Sequence, residues 1–405
     1  MGRLQLAVLA IWLFPTFAIA SATVGQTPPI TSKTTLARYQ HDTPQGTSPL
    51  DDLSPGGRKR FLAGLQFYPH GVGVNYGAPN EELTNPQIVR LFALFGEQEL
   101  AKGLGLTPAQ KLRFDHEREE DAKARGCTVQ TCPESPLELR YDELITTDED
   151  LSLPDARRFA ATGRLYDRLF VAYQTSTAQR TLSRPDLRLL THAVTLALFG
   201  LPTDARIAQL QADLHQMQQR GMIGDTDYAD LHHALVTRRR FAEAATLVHA
   251  HPGMEADAIP ELVRQIPSVQ GRPTALSVDA PGRRMRREAF DLSGPLRIVV
   301  IAGCHFSEDA ARAIDADPQL RPLFAKHAVW LTSPGESLTQ VPEWNRKFPD
   351  QPLHVAWQYS DWPMIDRWSM PNYYVFRDGR LVKSFQGWKD LANLKQSLRE
   401  AGAVH

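Results

Sequence analysis

From Arg58 to about Leu262, apolar side chains recur at the spacing of helices. In Gln87-Ile-Val-Arg-Leu-Phe-Ala-Leu-Phe95, the side chains of Ile88, Leu91, Phe92 and Phe95 fall on one face of a helical period. Asn85-Pro86 opens that helix with a capping residue and a proline at the first helical position. Ser183-Arg-Pro-Asp186 is a second start signal. Leu187, Leu189, Leu190, Val194, Leu196 and Leu198 follow it before Gly200-Leu-Pro202, which predicts a buried central helix. Two further amphipathic helices, Ala205 to Arg220 and Tyr228 to His249, form a helical hairpin around Gly221-Met-Ile-Gly-Asp225. No fixed-period self-similarity runs through these segments, so the pattern predicts an irregular bundle rather than a solenoid.

Past a linker at Gln265 to Pro273 the period shortens to β runs. Thr274-Ala-Leu-Ser-Val-Asp-Ala-Pro-Gly282 and Arg286-Arg-Glu-Ala-Phe290 read as a strand pair around a Pro-Gly turn. Leu296-Arg-Ile-Val-Val-Ile-Ala-Gly303 is nearly continuously apolar, as in a strand buried on both faces. Cys304-His-Phe-Ser307 follows at once and Glu308 to Ile314 is helical, so Cys304 falls where a strand hands over to a helix N-terminus. Ala328-Val-Trp-Leu-Thr332 and Leu353-His-Val-Ala-Trp357 are further strands around a helix at Val341 to Phe348, an alternation that predicts a mostly parallel sheet. Trp368-Ser-Met-Pro371 leads into Asn372-Tyr-Tyr-Val-Phe-Arg377, and Asp378-Gly379 turns that strand into Arg380 to Gly387 as a two-residue hairpin. Trp388 to Ala401 closes the chain as an amphipathic helix. The whole reads as an α+β two-domain protein, with a mainly helical region at 58–265 and an α/β domain at 274–405.

Ahead of the helices, residues 23–57 cluster Thr, Ser, Pro and Gly without hydrophobic periodicity and read as a flexible lead-in. Residues 1–22 have the pattern of a signal peptide: the basic start Met1-Gly2-Arg3, an apolar run from Leu4 to Ala20, and small-x-small sites at Ala18-Ile19-Ala20 and Ala20-Ser21-Ala22. Cleavage there places the chain in the periplasm or outside the cell, with no stable membrane insertion afterwards. The alternative is an uncleaved anchor, although Pro15 interrupts the run and its length is near the lower limit for a bilayer span.

Composition is that of a folded protein, with 42% hydrophobic and 22% charged residues, and 405 residues suit two or three domains. The 45 basic and 46 acidic side chains leave a net charge of −1, which removes any global pull toward nucleic acid and argues against such a partner. Export bears most on the three cysteines, because thiols outside the cytosol are oxidised unless maintained. Cys127 and Cys132 are close enough in sequence to bridge a short loop, which leaves Cys304 alone. A structural disulfide suits that pair better than a redox-active one, since four intervening residues do not match the tight dithiol motif.

A strand, Cys-x-x-Ser at a helix start, Met-Pro directly before a strand, an Asp-Gly hairpin and a terminal helix together resemble the thioredoxin superfamily. The likeness covers residues 274 to 405 and is greatest to exported bacterial thiol-disulfide reductases. It implies a thioredoxin-like domain in which Cys304, His305, Ser307 and Pro371 are catalytic, and Met370 and Phe306 bind substrate. Pro371 is then cis and packs beside Cys304, while the Met370 backbone hydrogen-bonds an extended substrate segment. The sequence departs from the family where Ser307 stands at the place of the second cysteine and no Trp precedes Cys304. A lone thiolate attacks a disulfide, but Ser307 cannot release the product, so another thiol must. Ser307 is able to hydrogen-bond the thiolate, and the helix terminus and a protonated His305 add positive charge beside it.

The expected activity is thiol-disulfide exchange by an exported monothiol thioredoxin-like protein, with protein or small-molecule thiols and disulfides as partners and no cofactor. The helical domain keeps an unknown partner. Two alternatives stay open: a non-catalytic interaction module on a degenerate thioredoxin fold, and a copper carrier using Cys304, His305 and Met370, since thiolate and thioether select Cu(I). Elsewhere His232, His233, His249 and His251, and His116 among Asp115, Glu117, Glu119 and Glu120, lack zinc spacing and call for no metal. Gly71-Val-Gly-Val-Asn75 has no strand-to-helix context for phosphate. Arg238-Arg-Arg240 and Arg283-Arg-Met-Arg-Arg287 read as solvated basic clusters. N-terminal sequencing of exported protein is expected to begin at Ser21 or Thr23, whereas Met1 retained in a membrane fraction would contradict cleavage.

Overall fold

A computed structural model describes residues 29–404 except 69–70, 148–151, 255, 265 and 267–271, so the segment read as a signal peptide and most of the linker lie outside the described residues. The chain is mixed α+β. Helices dominate from Lys33 to Ala250 because Ser or Thr caps followed by proline start one after another. Ser54, Thr107, Ser135 and Ser183 each accept a first-turn N–H, and each precedes a proline in the first two helical positions. The central helix Arg184–Gly200 buries Leu187, Leu190, Val194 and Leu198, and the helices Pro136–Thr146, Asp155–Phe170 and Asp204–Gln219 pack around it.

Three expectations for this region are corrected. Residues 29–57 are an ordered part of the fold: Ser32 caps the helix Lys33–Asp42, Leu50 is fully buried, and the Ile30 N–H donates to the Leu94 carbonyl at 2.7 Å. Their Ser, Thr and Pro content supplies caps and turns rather than slack. The helix Asn85–Ala93 starts after Thr84, which frees the Asn85 amide to donate to the Ala101 and Leu104 carbonyls at 2.6 and 3.0 Å. The expected helix from Tyr228 to His249 is two helices, Ala229–Thr237 and Phe241–Ala250, broken at Arg239 with φ +62°. Arg239 is therefore no solvated cluster member, since its guanidinium donates to the Trp357 carbonyl at 3.0 Å.

A buried ion network joins the first helices to the bundle. Arg60, 3% exposed, meets Glu82 and Glu138 at 3.1 Å and Asp142 at 3.2 Å. Several acceptors around one planar guanidinium meet the geometry that a buried charge requires. The Gly-rich patch forms a hairpin, β1 (Gln66–Tyr68) with β2 (Gly71–Gly73).

The remaining strands are β3 (Glu261–Arg264), β4 (Thr274–Val278), β5 (Arg284–Ala289), β6 (Arg297–Ile301), β7 (Ala328–Thr332), β8 (Leu353–Ala356), β9 (Asn372–Arg377) and β10 (Arg380–Gln386). They form one sheet in the order β10-β9-β6-β7-β8-β4-β5-β3. It is mixed rather than mostly parallel: β6, β7 and β8 run parallel, as do β3 and β5, but the β4–β5 and β9–β10 hairpins join antiparallel on either side. Strand β3 lies where the pattern had suggested helix and lines the sheet edge.

Along β6, Ile298 and Val300 face one core with the helices His305–Ala316 and Leu391–Glu400, while Val299 and Ile301 face a second core with Trp362, Ile365 and Trp368. The loop from Tyr359 to Trp368 thus covers one face of the sheet as helices cover the other. Its anchor is Arg287, which is 7% exposed, lies 4.3 Å over the Trp357 ring and pairs with Asp361 at 3.1 Å. Of this basic cluster Arg287 alone reaches the interior, while Arg283, Arg284 and Arg286 are exposed.

One buried carboxyl gives the bundle a pH signature. Asp213 is fully buried, accepts hydrogen bonds from Gln174 and Gln179 at 3.0 and 2.6 Å, and is raised by burial from 3.8 to about 7. Between those values the folded chain holds a proton that the unfolded chain has released, so stability falls as pH rises through that window and levels above it. Urea unfolding at about pH 5 and about pH 8 is expected to show a loss of about 1–3 kcal/mol that Asp213→Asn removes. An unchanged slope in that variant would contradict the assignment.

Candidate functional site

Strand β6 ends at Ile301, and the chain turns through Gly303 into the helix His305–Ala316 with Cys304 as its N-cap, φ −99° and ψ 169°. Gly303 has φ +146°, and a Cβ there would stand 3.2 Å from Met370 Sδ and 3.3 Å from Thr332 Oγ1. Glycine alone meets both demands. The turn leaves Cys304 half-buried, with Sγ 3.3 Å from Ser307 Oγ and 3.6 Å from the Met370 carbonyl oxygen. Ser307 itself is fully buried. As a thiol, Cys304 donates to the Met370 carbonyl and accepts from the Ser307 hydroxyl. As a thiolate it gives up the carbonyl contact, keeps the Ser307 donor, and sits at the helix end that carries unpaired N–H groups.

The Met370 side of the site is held from both directions. The Met370–Pro371 peptide bond is cis, Pro371 is buried, and its carbonyl accepts the Gly387 N–H at 2.8 Å. Upstream, Tyr374 Oη donates to Asp366 at 2.7 Å and accepts the Arg367 N–H at 2.9 Å. The helical region contributes Asp155, only 5% exposed, whose carboxylate accepts the Trp368 N–H at 2.7 Å and whose own N–H donates to the Asp366 carbonyl at 2.9 Å. Arg158 at 2.8 Å and Arg367 at 3.7 Å balance its charge.

The other expected residues lie nearby in differing postures. His305 is exposed, with its ring centroid 3.8 Å from that of Phe306, and among the described residues no hydrogen bond joins it to Cys304. Phe306 projects outward, 51% exposed. Around the sulfur, Thr332 Oγ1 and Tyr373 Oη are buried without a hydrogen-bond partner among the described residues. The Tyr373 phenol is pushed well above its usual range, first by burial and then by the neighbouring Cys304. Beside Gly303 opens a hollow of about 230 Å³, lined by Gly303, Thr332, Glu308 and Glu336 among others.

Cys127 and Cys132 form a disulfide with Cα atoms 5.2 Å apart, in the loop between the helices Pro108–Ala124 and Pro136–Thr146. Cys304 is the free cysteine. His251 stacks on Tyr228 at 3.7 Å and faces Asp225 at 3.2 Å, while His232 is buried. Among the described residues no group of three or more His, Cys, Asp or Glu is arranged to hold a metal ion, and no helix is long and apolar enough to cross a membrane.

Comparison with protein-family models found no match, and neither did comparison with curated proteins or with solved structures. The site therefore rests on its own geometry. Sequence reasoning missed Asp155, Arg239 and the Arg287–Asp361 pair, all of which hold the loop that faces Cys304 or its neighbouring strand. Pro154-Asp155 did carry a helix-start signal, but nothing local showed that the carboxylate caps a loop more than two hundred residues away. Gly303→Ala is expected to lower the unfolding free energy by about 1–3 kcal/mol and to slow Cys304 alkylation by displacing Met370. Unchanged stability and reactivity would show that the turn tolerates a side chain.

Proposed function

We propose that this chain is an exported monothiol thioredoxin-like protein that forms and reverses mixed disulfides through Cys304. The observation that carries the reading is a half-buried sulfur at a helix start, 3.3 Å from Ser307 Oγ and 3.6 Å from the Met370 carbonyl. The cis Met370–Pro371 bond, the β9–β10 hairpin and the closing helix Leu391–Glu400 support it by their agreement with the family that the sequence resembles. The Cys127–Cys132 disulfide suits an oxidising compartment.

In the forward step the Cys304 thiolate attacks one sulfur of a disulfide R–S–S–R′. A Cys304–S–S–R bond forms as the S–S bond of the substrate breaks, and R′–S⁻ leaves and is protonated by water. A second thiol R″–SH gives up its proton and attacks the sulfur of R, forming R–S–S–R″ and returning Cys304 as a thiolate. That thiol comes from outside the site, because Ser307 has no sulfur and Cys127 is bonded to Cys132. The two partners' reduction potentials set the direction of electron flow.

Intact-mass analysis after exposure to glutathione disulfide is expected to show one glutathione on the wild-type chain and none on Cys304→Ser. Ser307→Ala, which removes the hydroxyl donor, is expected to slow the reaction about ten-fold, while Ser307→Cys lets the mixed disulfide resolve internally and stops it accumulating. If the wild-type chain takes up no glutathione and Cys304→Ser retains full cellular function, the chain is a non-catalytic interaction module instead.

A further inference from the structure

We propose that the cleft between the helical region and the sheet binds an extended acidic polypeptide segment bearing aromatic or aliphatic side chains, and presents its cysteine or disulfide to Cys304. This names the substrate class of the thiol-exchange site and rests on that reading. The cleft encloses about 1,730 Å³, larger than the roughly 300–1,000 Å³ of small-molecule sites. Tyr76, Phe159 and Phe199 line one wall, and Tyr359, Trp368 and Ser369 line the other.

The cleft reaches Ser369, the residue before Met370. Phe159 and Tyr359 lie 5.9 Å apart and Tyr359 and Trp368 5.1 Å apart, so an aromatic line crosses from the helices to Trp368-Ser369-Met370. The next carbonyl along, that of Met370, faces Cys304 Sγ at 3.6 Å. Glu336 lines both the cleft and the hollow beside Gly303. Among the described residues the Ser369 and Met370 N–H groups have no hydrogen-bond partner, which suits an extended backbone laid alongside.

Apolar anchors are already displayed, with Phe199 73% exposed and Leu196 and Tyr76 each 42% exposed along the cleft. An apolar patch on one wall of a concave surface is the usual mark of a binding site. Exposed positive charge lines the same cleft. Arg164 is exposed and makes no ion pair or hydrogen bond among the described residues. Among the described residues Arg168 pairs with Glu143, the two side chains being 69% and 51% exposed, so this partner contributes little.

Two of the three carboxylates of the cleft are committed elsewhere. Asp155 serves the Trp368 N–H and two arginines, and Glu81 serves His192 and Tyr141. Glu336 has no side-chain partner among the described residues, and burial raises its carboxyl above the ordinary value. Five arginines, Arg60, Arg158, Arg164, Arg168 and Arg367, line the cleft against the three carboxylates Glu81, Asp155 and Glu336, so an acidic segment meets a wall with an excess of positive charge.

The test uses the full chain carrying Cys304→Ser, so that binding is read without thiol chemistry. Two fluorescein-labelled, cysteine-free dodecapeptides serve as probes, one rich in Glu and Phe and one with Lys in place of every Glu. Fluorescence anisotropy at moderate salt is expected to show the acidic peptide bound at least about ten-fold more tightly. Arg164→Glu, at an exposed and unpaired position, and Arg168→Glu are expected to abolish that preference, and Phe199→Ser to weaken binding of the acidic peptide. Equal affinities, no peptide binding, or variants that bind like the parent would each overturn the proposal. The uptake of glutathione by the wild-type chain without peptide tests the thiol reading separately, so the two failures are distinguishable.

Discussion

The Asp155 carboxylate, at the first turn of a helix in the bundle, accepts the Trp368 N–H at 2.7 Å while the Asp155 N–H reaches the Asp366 carbonyl at 2.9 Å. Two hydrogen bonds in opposite directions fix both position and angle of the loop that continues into Met370. A buried carboxylate is costly unless its charge is met, and Arg158 and Arg367 meet it from either side. The helical region thus acts as a brace for the loop that places a carbonyl against the Cys304 sulfur.

The sheet is built to need that brace. Strand β6 sends alternate residues into two cores, and the face away from the terminal helices is covered by an irregular loop rather than by a helix. Irregular backbone buried against a sheet requires partners for its polar groups. They are supplied one at a time: Trp362 Nε1 donates to the Thr274 carbonyl at 2.9 Å, Arg287 pairs with Asp361 at 3.1 Å, and Arg239 reaches the Trp357 carbonyl at 3.0 Å. On the other side of the sulfur, Gly303 allows Met370 and Thr332 to close in. The same loop forms a wall of the large cleft, so the support of the thiol and the shape of the cleft come from one set of contacts.

Local signals made much of this legible. The continuous apolar run marked β6, the Asp-Gly pair marked the β9–β10 turn, where Asp378 and Gly379 have φ +47° and +76°, and the Ser-x-Pro start marked the central helix. The Cys304–Ser307 spacing placed both side chains on one helical turn, where they lie 3.3 Å apart. What escaped was decided by long-range partners. Composition marked residues 23–57 as slack, but in the described part Leu50 and Ile30 complete a core with later residues such as Leu91 and Phe92. Likewise Arg239 and Arg287 belong to clusters that look solvated in one dimension, and their acceptors lie on loops far along the chain. Sheet direction was misjudged because strand–helix alternation describes β6 to β8 and says nothing of the hairpins that flank them.

The account stands on the fold making Cys304 a better nucleophile than an unstructured cysteine. The most direct measurement is the second-order rate constant of Cys304 with a small aromatic disulfide, in the folded chain and in the urea-unfolded chain, alongside folded Asp155→Ala. The account predicts the folded chain to react about ten-fold faster or more than the unfolded one, with Asp155→Ala falling between them. A folded chain slower than the unfolded one, with Asp155→Ala no different from the wild type, would contradict it.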